Sequence, residues 1–295
     1  MNREVKDVAA SVYGRLKNIA RQQNTDFQTI LQYYGMERFL YRLSQTEHQR
    51  KFILKGGLIF NAWELPFRRV TKDIDFRGFT QNSLTNIEEI FQAVCLQECK
   101  ADGLLFDPDT LTLEVTQVNA EYDGIRGRLI CYLGKSRISI QIDIGFTDTI
   151  TPEPIVLEYP SYLPELPSPT LLGYPPETVI AEKVQAIILL GEANSRFKDF
   201  YDIWLLSEHR DFDGSMLQQA IQRTFERRQT DYPTSLPSGL TTEFASRSQK
   251  DWERTVKDKN KLPGRKESDF VFVVKRIIDF LLPPLGALAN GQPFK

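Results

Sequence analysis

The fold of this chain is decided by the stretch FILKGGLIFNAWELPFRRVTKDID, residues 52–75. Its apolar start, residues 52–54, is typical of a short buried strand. Gly56 and Gly57 follow and predict a tight turn. Residues 58–65 then predict a helix that ends before a proline. The stretch therefore predicts a strand, a glycine turn and a helix, with a second strand at its acidic end.

The glycine turn and the acidic end of this stretch suit phosphate and metal chemistry. Two glycines that open a helix leave backbone N–H groups exposed, and such groups bind the phosphates of nucleotides. Because side chains alternate along a strand, Thr71, Asp73 and Asp75 are expected to point to one side. Two close carboxylates repel each other unless a cation lies between them, and oxygen ligands of this kind suit Mg²⁺. The stretch predicts a nucleotide site with a bound metal ion.

An Asp-x-Asp pair alone is weak evidence, because the motif is common. The chain carries two more, at residues 107–109 and 211–213, and each includes or adjoins a proline or glycine typical of turns. Neither follows a glycine turn of the phosphate-binding kind. Asp73 and Asp75 differ because a strand, a glycine turn and a helix all precede them.

The composition of the 295 residues, 41% apolar and 26% charged, is that of a globular protein with room for two domains. No apolar run approaches the ~20 residues that cross a bilayer, and the N-terminus lacks a signal-peptide core, so we expect a cytoplasmic protein with no membrane partner. Three cysteines and two histidines give little support for a zinc site or a histidine-based nucleophile. Any chemistry is expected to depend on carboxylates, lysine and metal.

Helices and strands alternate unevenly along the chain. Apolar stripes predict helices within residues 5–44 and near 83–100, and alternation predicts strands at 111–116, 129–133 and 138–146. An Asp-Gly pair at 123–124 predicts one turn and Gly134-Lys135 predicts a hairpin. Helices follow from residue 177 onward. The fold class predicted is α+β.

The strand at residues 138–146 has two clearly different faces. Isoleucines occupy every second position from Ile138 to Ile144, whereas Asp143 belongs to the opposite, polar set. Asp143 could therefore join Asp73 and Asp75 if its face lines a cleft. The alternative is an aspartate that is merely exposed to solvent on an edge strand.

Prolines mark the expected domain boundary. Eight of the 16 prolines lie between Pro152 and Pro176, which predicts an extended crossover rather than regular structure. We therefore divide the chain into residues 1–150, which hold the N-terminal helices and the core, the crossover 151–176, and a helical C-terminal lobe, 177–295.

A second set of charged residues follows the crossover. Lys183 lies in an apolar helical stripe, where it either extends its ammonium group to water or points across a cleft towards a triphosphate. Asp199 and Asp202 lie about one turn apart on the next helix. Asp199 could simply interact with the helix dipole, and Asp202 could form a surface pair with Lys198.

A basic cluster near the C-terminus admits two interpretations. Lysines and arginines are frequent in residues 250–266, beside Trp252, and Arg223, Arg227 and Arg228 precede them. The cluster is either a solvated helical face, since acidic residues are interspersed, or a surface for an RNA backbone.

The ordered motifs resemble those of the AbiEii family. They are Lys55-Gly56-Gly57, Arg69-x-Thr71-x-Asp73-Ile74-Asp75, Glu182-Lys183 and Arg196-x-Lys198-Asp199-x-x-Asp202. This family comprises nucleotidyltransferase-like toxins of type IV toxin–antitoxin (abortive infection) systems and is related to the mycobacterial MenT toxins. The resemblance implies a bilobed protein: a DNA-polymerase-β-like nucleotidyltransferase core with a helical N-terminal extension and a helical C-terminal lobe.

The resemblance also implies roles for individual residues. Asp73 and Asp75 would hold Mg²⁺, with Asp143 as a third ligand and the expected base. Gly56, Gly57, Thr71 and Asp202 would contact the NTP substrate, and Lys183 and Asp199 would complete the catalytic set. Nucleotidyltransferases in general have Gly-Ser where this chain has Gly56-Gly57, so a hydroxyl contact is missing.

The same resemblance implies the partners and leaves alternatives open. The acceptor would be the 3′ end of tRNA, whose modification stops translation, and a cognate antitoxin would oppose the toxin. Two other functions fit the residues: nucleotidyl transfer to a small molecule or a protein hydroxyl, and nucleotide or RNA binding without catalysis.

Overall fold

The structure is a computed structural model, and it describes residues 7–63, 65, 70–119, 122–257 and 268–294. The chain divides into two compact units. We call the first the sheet unit; it draws on Met1–Glu64, Val70–Thr147 and Ile155–Gly173. The second, the helical unit, draws on Leu65–Arg69, Asp148–Pro154 and Tyr174–Lys295.

The sheet unit contains a seven-stranded mixed sheet and helices. The helices are α1 (Val8–Gln22), α2 (Phe27–Ser44), α3 (Ile59–Ala62) and α4 (Leu84–Leu96). The strands are β1 (Phe52–Lys55), β2 (Asp73–Gly78), β3 (Leu104–Asn119), β4 (Tyr122–Leu133), β5 (Ser136–Gly145), β6 (Ile155–Glu158) and β7 (Thr170–Gly173), in the spatial order β3-β4-β5-β2-β1-β7-β6.

Local sequence explains where several of these elements begin. Asp7, Asp26 and Ser83 cap α1, α2 and α4, because the side chain of each accepts a hydrogen bond from a backbone N–H of the first turn. The Gly134-Lys135 turn produces the predicted hairpin between β4 and β5.

The core of the sheet unit lies on one face of the sheet. The isoleucines of β5, among them Ile138 and Ile140, are buried, and Gly35 of α2 lies against both. A Cβ at Gly35 would be 3.1 Å from Ile138, so the glycine lets the helix approach the strand closely. This packing leaves the polar face of β5 turned away from the core.

Three local expectations differ from the structure. Residues 123–124, expected as a turn, lie inside β4. Residues 107–109, also expected as a turn, lie in β3 where its register with β4 shifts. The helix expected over 58–65 spans only Ile59–Ala62, and its expected end at Pro66 lies outside the described residues.

The proline-rich segment 151–176 contains strands that a simple crossover would lack. β6 and β7 pair with each other, and β7 pairs with β1 through Leu54 and Gly173. The prolines flank these four-residue strands and lie outside them, so the backbone donors that the ladder needs remain. Residues 155–173 consequently belong to the sheet unit, whereas 148–154 belong to the helical unit.

The helical unit is built around aromatic side chains. Its helices are α5 (Pro176–Leu190), α6 (Phe197–His209), α7 (Gly214–Arg227), α8 (Thr242–Arg247), α9 (Gln249–Lys257) and α10 (Phe270–Ala289). Phe200, Phe244 and Phe270 are buried and in mutual ring contact, and the buried Trp252 stacks on Phe270 at 4.7 Å. Among the described residues, no helix combines the length and apolarity that crossing a membrane requires.

Candidate active site

Three carboxylates meet on the polar face of the sheet. Asp73 and Asp75 project from β2, and Asp143 projects from the neighbouring β5. The two strands are parallel, and Asp75 is the partner of Asp143 in their register. Each side chain can offer one oxygen such that all three lie within 4.8 Å of one another, and all three residues are half-buried. The structure thus brings together the three acidic residues singled out in the sequence. We call them the acidic triad.

Charged residues of five neighbouring strands form one line across the sheet through the triad. Lys55 is aligned with Asp75, Asp75 with Asp143, Asp143 with Arg126 of β4, and Arg126 with Glu114 of β3. Aligned residues of neighbouring strands share a face, so this cross-strand row carries two adjacent carboxylates with a cationic residue on either side. The adjacent like charges mark the place where a cation is most stabilising.

Thr71 forms a hydrogen bond with the carboxylate of Asp73. Its hydroxyl donates a 2.6 Å hydrogen bond to Oδ1 of Asp73, while its backbone N–H donates to the hydroxyl oxygen of Tyr33 on α2 at 2.9 Å. Thr71 is buried. Its hydroxyl therefore helps to orient Asp73, and the nucleotide contact predicted for Thr71 stays a prediction.

Gly56 allows Asp75 to come close to the turn. The glycine has φ +67°, a left-handed conformation, and a Cβ built there would lie 1.9 Å from Oδ2 of Asp75. Gly57 is the buried residue that follows in the same turn. A side chain at residue 56 is therefore excluded twice, by the backbone conformation and by the carboxylate.

We expect Gly56→Ala to displace Asp75. The variant should therefore lose far more nucleotidyltransferase activity than a glycine-to-alanine change away from the triad. The matched control is Gly134→Ala, because Gly134 has φ +57° but the nearest atom to its added Cβ is 4.0 Å away. Both variants should lose about 1–2 kcal/mol of stability from the left-handed backbone. Only Gly56→Ala should also weaken Mn²⁺ binding, measured by titration. Equal Mn²⁺ affinities in the two variants would contradict this prediction.

Asp143 is held by side chains that the sequence analysis did not identify. Nε and Nη2 of Arg126 donate to its two carboxylate oxygens at 2.6 and 3.3 Å, and Nε2 of Gln141 donates to Oδ2 at 3.0 Å. The hydrogen bonds to Asp143 raise the pKa of Arg126 above its usual value. The signal was present in the hairpin: counting back equally from both sides of the Gly134-Lys135 turn places Arg126 opposite Asp143.

The helical unit contains the other predicted residues as a buried ion cluster. Nζ of Lys183 on α5 lies 2.6 Å from Oδ1 of Asp199 and 2.9 Å from Oδ2 of Asp202, both on α6. Nε of Arg196 lies 2.6 Å from Oδ2 of Asp199. Lys183 does not extend to solvent, and Asp202, expected to contact nucleotide or Lys198, is completely buried beneath Lys183. In the structure Asp202 contacts Lys183, and the nucleotide contact that the resemblance implies for Asp202 stays a prediction.

The ionised form of Asp199 is favoured in the folded protein. Burial alone would raise the pKa of Asp199, but the charges and hydrogen bonds of Lys183 and Arg196 outweigh it and hold this pKa below 3.8, the ordinary value. A depressed pKa stabilises the fold above the unfolded-state pKa, and this contribution is lost as pH falls through the folded-state value.

Asp199→Asn should therefore differ from wild type in a pH-dependent manner. We expect the loss in free energy of unfolding to be constant from neutral pH down to about 5 and to shrink below about pH 4. Urea unfolding at a series of pH values measures it. Asp211→Asn, at an exposed position of the same unit, should change stability by less than about 0.5 kcal/mol. If the difference in free energy of unfolding between wild type and Asp199→Asn grows on acidification, the stated direction of the pKa shift of Asp199 is wrong.

The basic cluster of the C-terminal region is partly exposed among the described residues, with Arg223, Lys250 and Arg254 at exposed positions. Trp252 is buried in the aromatic core, and Arg228 is largely buried between Asp148 and Glu182. The charges at Lys259, Lys261, Arg265 and Lys266 lie outside the described residues. These observations remove Trp252 and Arg228 from any RNA-binding surface.

The donor set of the acidic triad fits a hard divalent cation. Carboxylate oxygens are the ligands that Mg²⁺ prefers, and the separations within the triad allow one ion to be shared. Carboxylates on neighbouring strands beside a glycine turn, within a mixed sheet, are the arrangement expected of a nucleotidyltransferase core. The predicted fold class is confirmed.

Comparison with known proteins gives the family. The model of the family described as nucleotidyl transferase AbiEii toxin, type IV TA system, matches residues 38–272, so this chain belongs to the AbiEii family. The chain is accordingly a nucleotidyltransferase of the type IV toxin class, as the resemblance predicted.

Two solved structures share the fold at low sequence identity. One, from Helicobacter pylori and described as a candidate nucleotidyltransferase, has a TM-score of 0.50 and 13% identity, covering 89% of this chain and 98% of that one. The other, the JHP933 protein of Helicobacter pylori, has a TM-score of 0.52 and 12% identity, covering 90% and 97%. A comparison with curated proteins gives no match.

Proposed function

We propose that this protein transfers nucleotides from an NTP to the 3′ acceptor end of tRNA in a Mg²⁺-dependent reaction, and that it blocks translation in this way. The convergence of Asp73, Asp75 and Asp143 on one point is the observation that carries the proposal. The family implies a cognate antitoxin, which would oppose the activity. The acceptor is the part of the proposal that rests on family resemblance.

The acidic triad would hold the metal. Bound there, Mg²⁺ would neutralise charge at the reacting phosphate and lower the pKa of the attacking hydroxyl. Thr71 keeps Asp73 in place through its 2.6 Å hydrogen bond. Gly56 leaves room for Asp75 beside the turn, where the backbone of Gly56 and Gly57 would meet the phosphates of the NTP.

The hydrogen bonds of Asp143 limit how it can serve the reaction. A carboxylate has about four acceptor positions. Arg126 and Gln141 already use three of them in Asp143. We therefore propose Asp143 as the third metal ligand through Oδ1, and its role as general base stays a prediction.

Lys183 and Asp199 retain the roles that the family resemblance implies. Lys183 would stabilise the charge of the departing pyrophosphate, and a compact ammonium group suits that task. Asp199 and Asp202 would keep the ammonium in one position, as the 2.6 and 2.9 Å distances indicate.

The test is incubation of the purified protein with total tRNA, Mg²⁺ and each α-³²P-labelled NTP in turn, resolved on a sequencing gel. A discrete lengthening of tRNA with one or more NTPs supports the proposal. The matched control is tRNA with a periodate-oxidised 3′ end, which should take no label. Label appearing only in protein, or only in a small molecule, would identify a different acceptor, and no pyrophosphate release with any acceptor would identify a binding module.

A further inference from the structure

Arg126 is a charged residue beside the acidic triad that the proposed reaction has not used. Its guanidinium group donates to both oxygens of Asp143, at 2.6 and 3.3 Å. The two side chains are 35% and 24% exposed, so neither is locked in the core. The contact joins β4 to β5 at the position of the cross-strand row that borders the triad.

We propose that Arg126 couples metal binding at the acidic triad to nucleotide binding. In the nucleotide-free protein, the guanidinium opposes a divalent cation at Asp143. When a triphosphate binds, its negative charge compensates for the guanidinium, and the triad takes up the cation tightly. This inference rests on the proposed function, because it takes the triad as the metal site.

The hydrogen bonds of Asp143 restrict the way in which it can bind a cation. Oδ1 accepts from Nε of Arg126, while Oδ2 accepts from Nη2 of Arg126 and from Gln141. Each carboxylate oxygen has two acceptor positions, so both positions of Oδ2 are in use and one of Oδ1 remains. Asp143 can therefore contribute a single ligand atom, Oδ1, while this arrangement lasts.

The charges around the acidic triad determine whether metal and nucleotide strengthen or weaken the binding of each other. The three carboxylates attract a divalent cation, but a guanidinium in contact with one of them repels it across a few ångströms. Because the site is only half-buried, solvent weakens this repulsion but does not remove it at such short range. A nucleoside triphosphate reverses the sign of the local field, and coupling between two ligands is reciprocal. Metal and nucleotide should therefore each strengthen the binding of the other.

The experiment measures Mn²⁺ binding to the full chain by electron paramagnetic resonance, with and without a non-hydrolysable NTP analogue. Arg126→Gln should bind Mn²⁺ about five to ten times more tightly than wild type in the absence of nucleotide, since the repulsive charge is gone. Gln141 still donates to Asp143 in this variant, so the carboxylate keeps one orienting bond. The gain in Mn²⁺ affinity on adding the analogue should be correspondingly smaller than in wild type.

Arg128→Gln is the matched control. Arg128 lies two residues further along β4 on the same face, and its Nη1 pairs with Glu114 at 2.9 Å instead of with Asp143. The same charge is removed from the same strand, but farther from the triad and at a more exposed position. We expect its Mn²⁺ affinity to remain within about twofold of wild type, because exposed charges are screened.

Arg126→Lys separates charge from geometry. An ammonium group retains the charge, so nucleotide-free Mn²⁺ affinity should stay near that of wild type. It cannot form the two-pronged contact with Asp143, so kcat should fall about tenfold while KM for the NTP changes little. If Arg126 had a purely structural role, Arg126→Lys and Arg126→Gln would not differ in this way in their Mn²⁺ affinity.

The outcomes distinguish this inference from the proposed function. If wild type binds no Mn²⁺, or if Asp73→Ala binds it as wild type does, the triad is not the metal site. The coupling role of Arg126 and the proposed function then both fail. If binding depends on the triad but Arg126→Gln binds Mn²⁺ no more tightly than Arg128→Gln, only the coupling role fails. Circular dichroism melts identify any variant that does not fold, and in that case Arg126→Met replaces Arg126→Gln.

Discussion

Asp73→Ala is expected to abolish nucleotidyl transfer, lowering kcat by about a thousandfold or more, which corresponds to about 4 kcal/mol of activation free energy. Asp73 contributes one of three oxygens that lie within 4.8 Å of one another. Without it, the remaining carboxylates hold a cation with fewer ligands and the wrong charge. The labelled-NTP assay with tRNA measures the loss, and expression in the host should become harmless.

Two further variants make the Asp73 result specific. Asp73→Asn retains the size of the side chain and an oxygen that can accept the Thr71 hydrogen bond, so it isolates the loss of charge. Asp109→Asn, at an exposed position of the Asp-x-Asp pair at 107–109, should retain full activity. An Asp73→Ala protein that still transfers nucleotides would refute the assignment of the acidic triad.

Lys183→Met is expected to destabilise the protein by about 3–5 kcal/mol, because it removes the ammonium partner of two buried carboxylates. Asp202 is completely buried, and its 2.9 Å contact with Lys183 would be lost. Asp199 would keep Arg196 at 2.6 Å. Urea unfolding measures the change. Lys198→Met, at an exposed position of the neighbouring helix, should alter stability by less than about 0.5 kcal/mol.

A double variant separates the structural from the catalytic role of Lys183. Lys183→Met with Asp202→Leu removes both charges, and replacing a buried ion pair by apolar groups is often neutral for stability. We expect most of the lost free energy of unfolding to return while nucleotidyl transfer remains absent. A stable double variant with normal activity would show that Lys183 serves the fold alone. A single variant that loses less than about 1 kcal/mol would contradict the stability argument.

The core of the sheet unit could be predicted because its signals are local. Alternation along residues 138–144 separates the isoleucines from Asp143, and Gly56-Gly57 identifies the turn that Asp75 approaches. The register of a parallel pair is a non-local property. The sequence could therefore suggest that Asp143 shares a face with Asp75, but the direct alignment of the two became known only from the structure.

Features that depend on distant contacts were missed or misread. The Tyr33 hydroxyl meets Thr71 across a long separation in sequence, and no local pattern announces it. Trp252 lies among lysines and arginines, which favours an exposed position, yet tertiary packing stacks it on Phe270. The strands β6 and β7 are four residues long and enclosed by prolines, so composition conceals them. In each case a tertiary contact outweighed the local signal.

The cross-strand row means that correct strand pairing and chemical competence are acquired in a single event. Side chains alternate every residue, so a slip of β5 by one position would exchange Asp143 for an isoleucine and push the carboxylate into the apolar layer. Such a misfolded species would be both unstable and inert. The complete acidic triad therefore exists only in the native register.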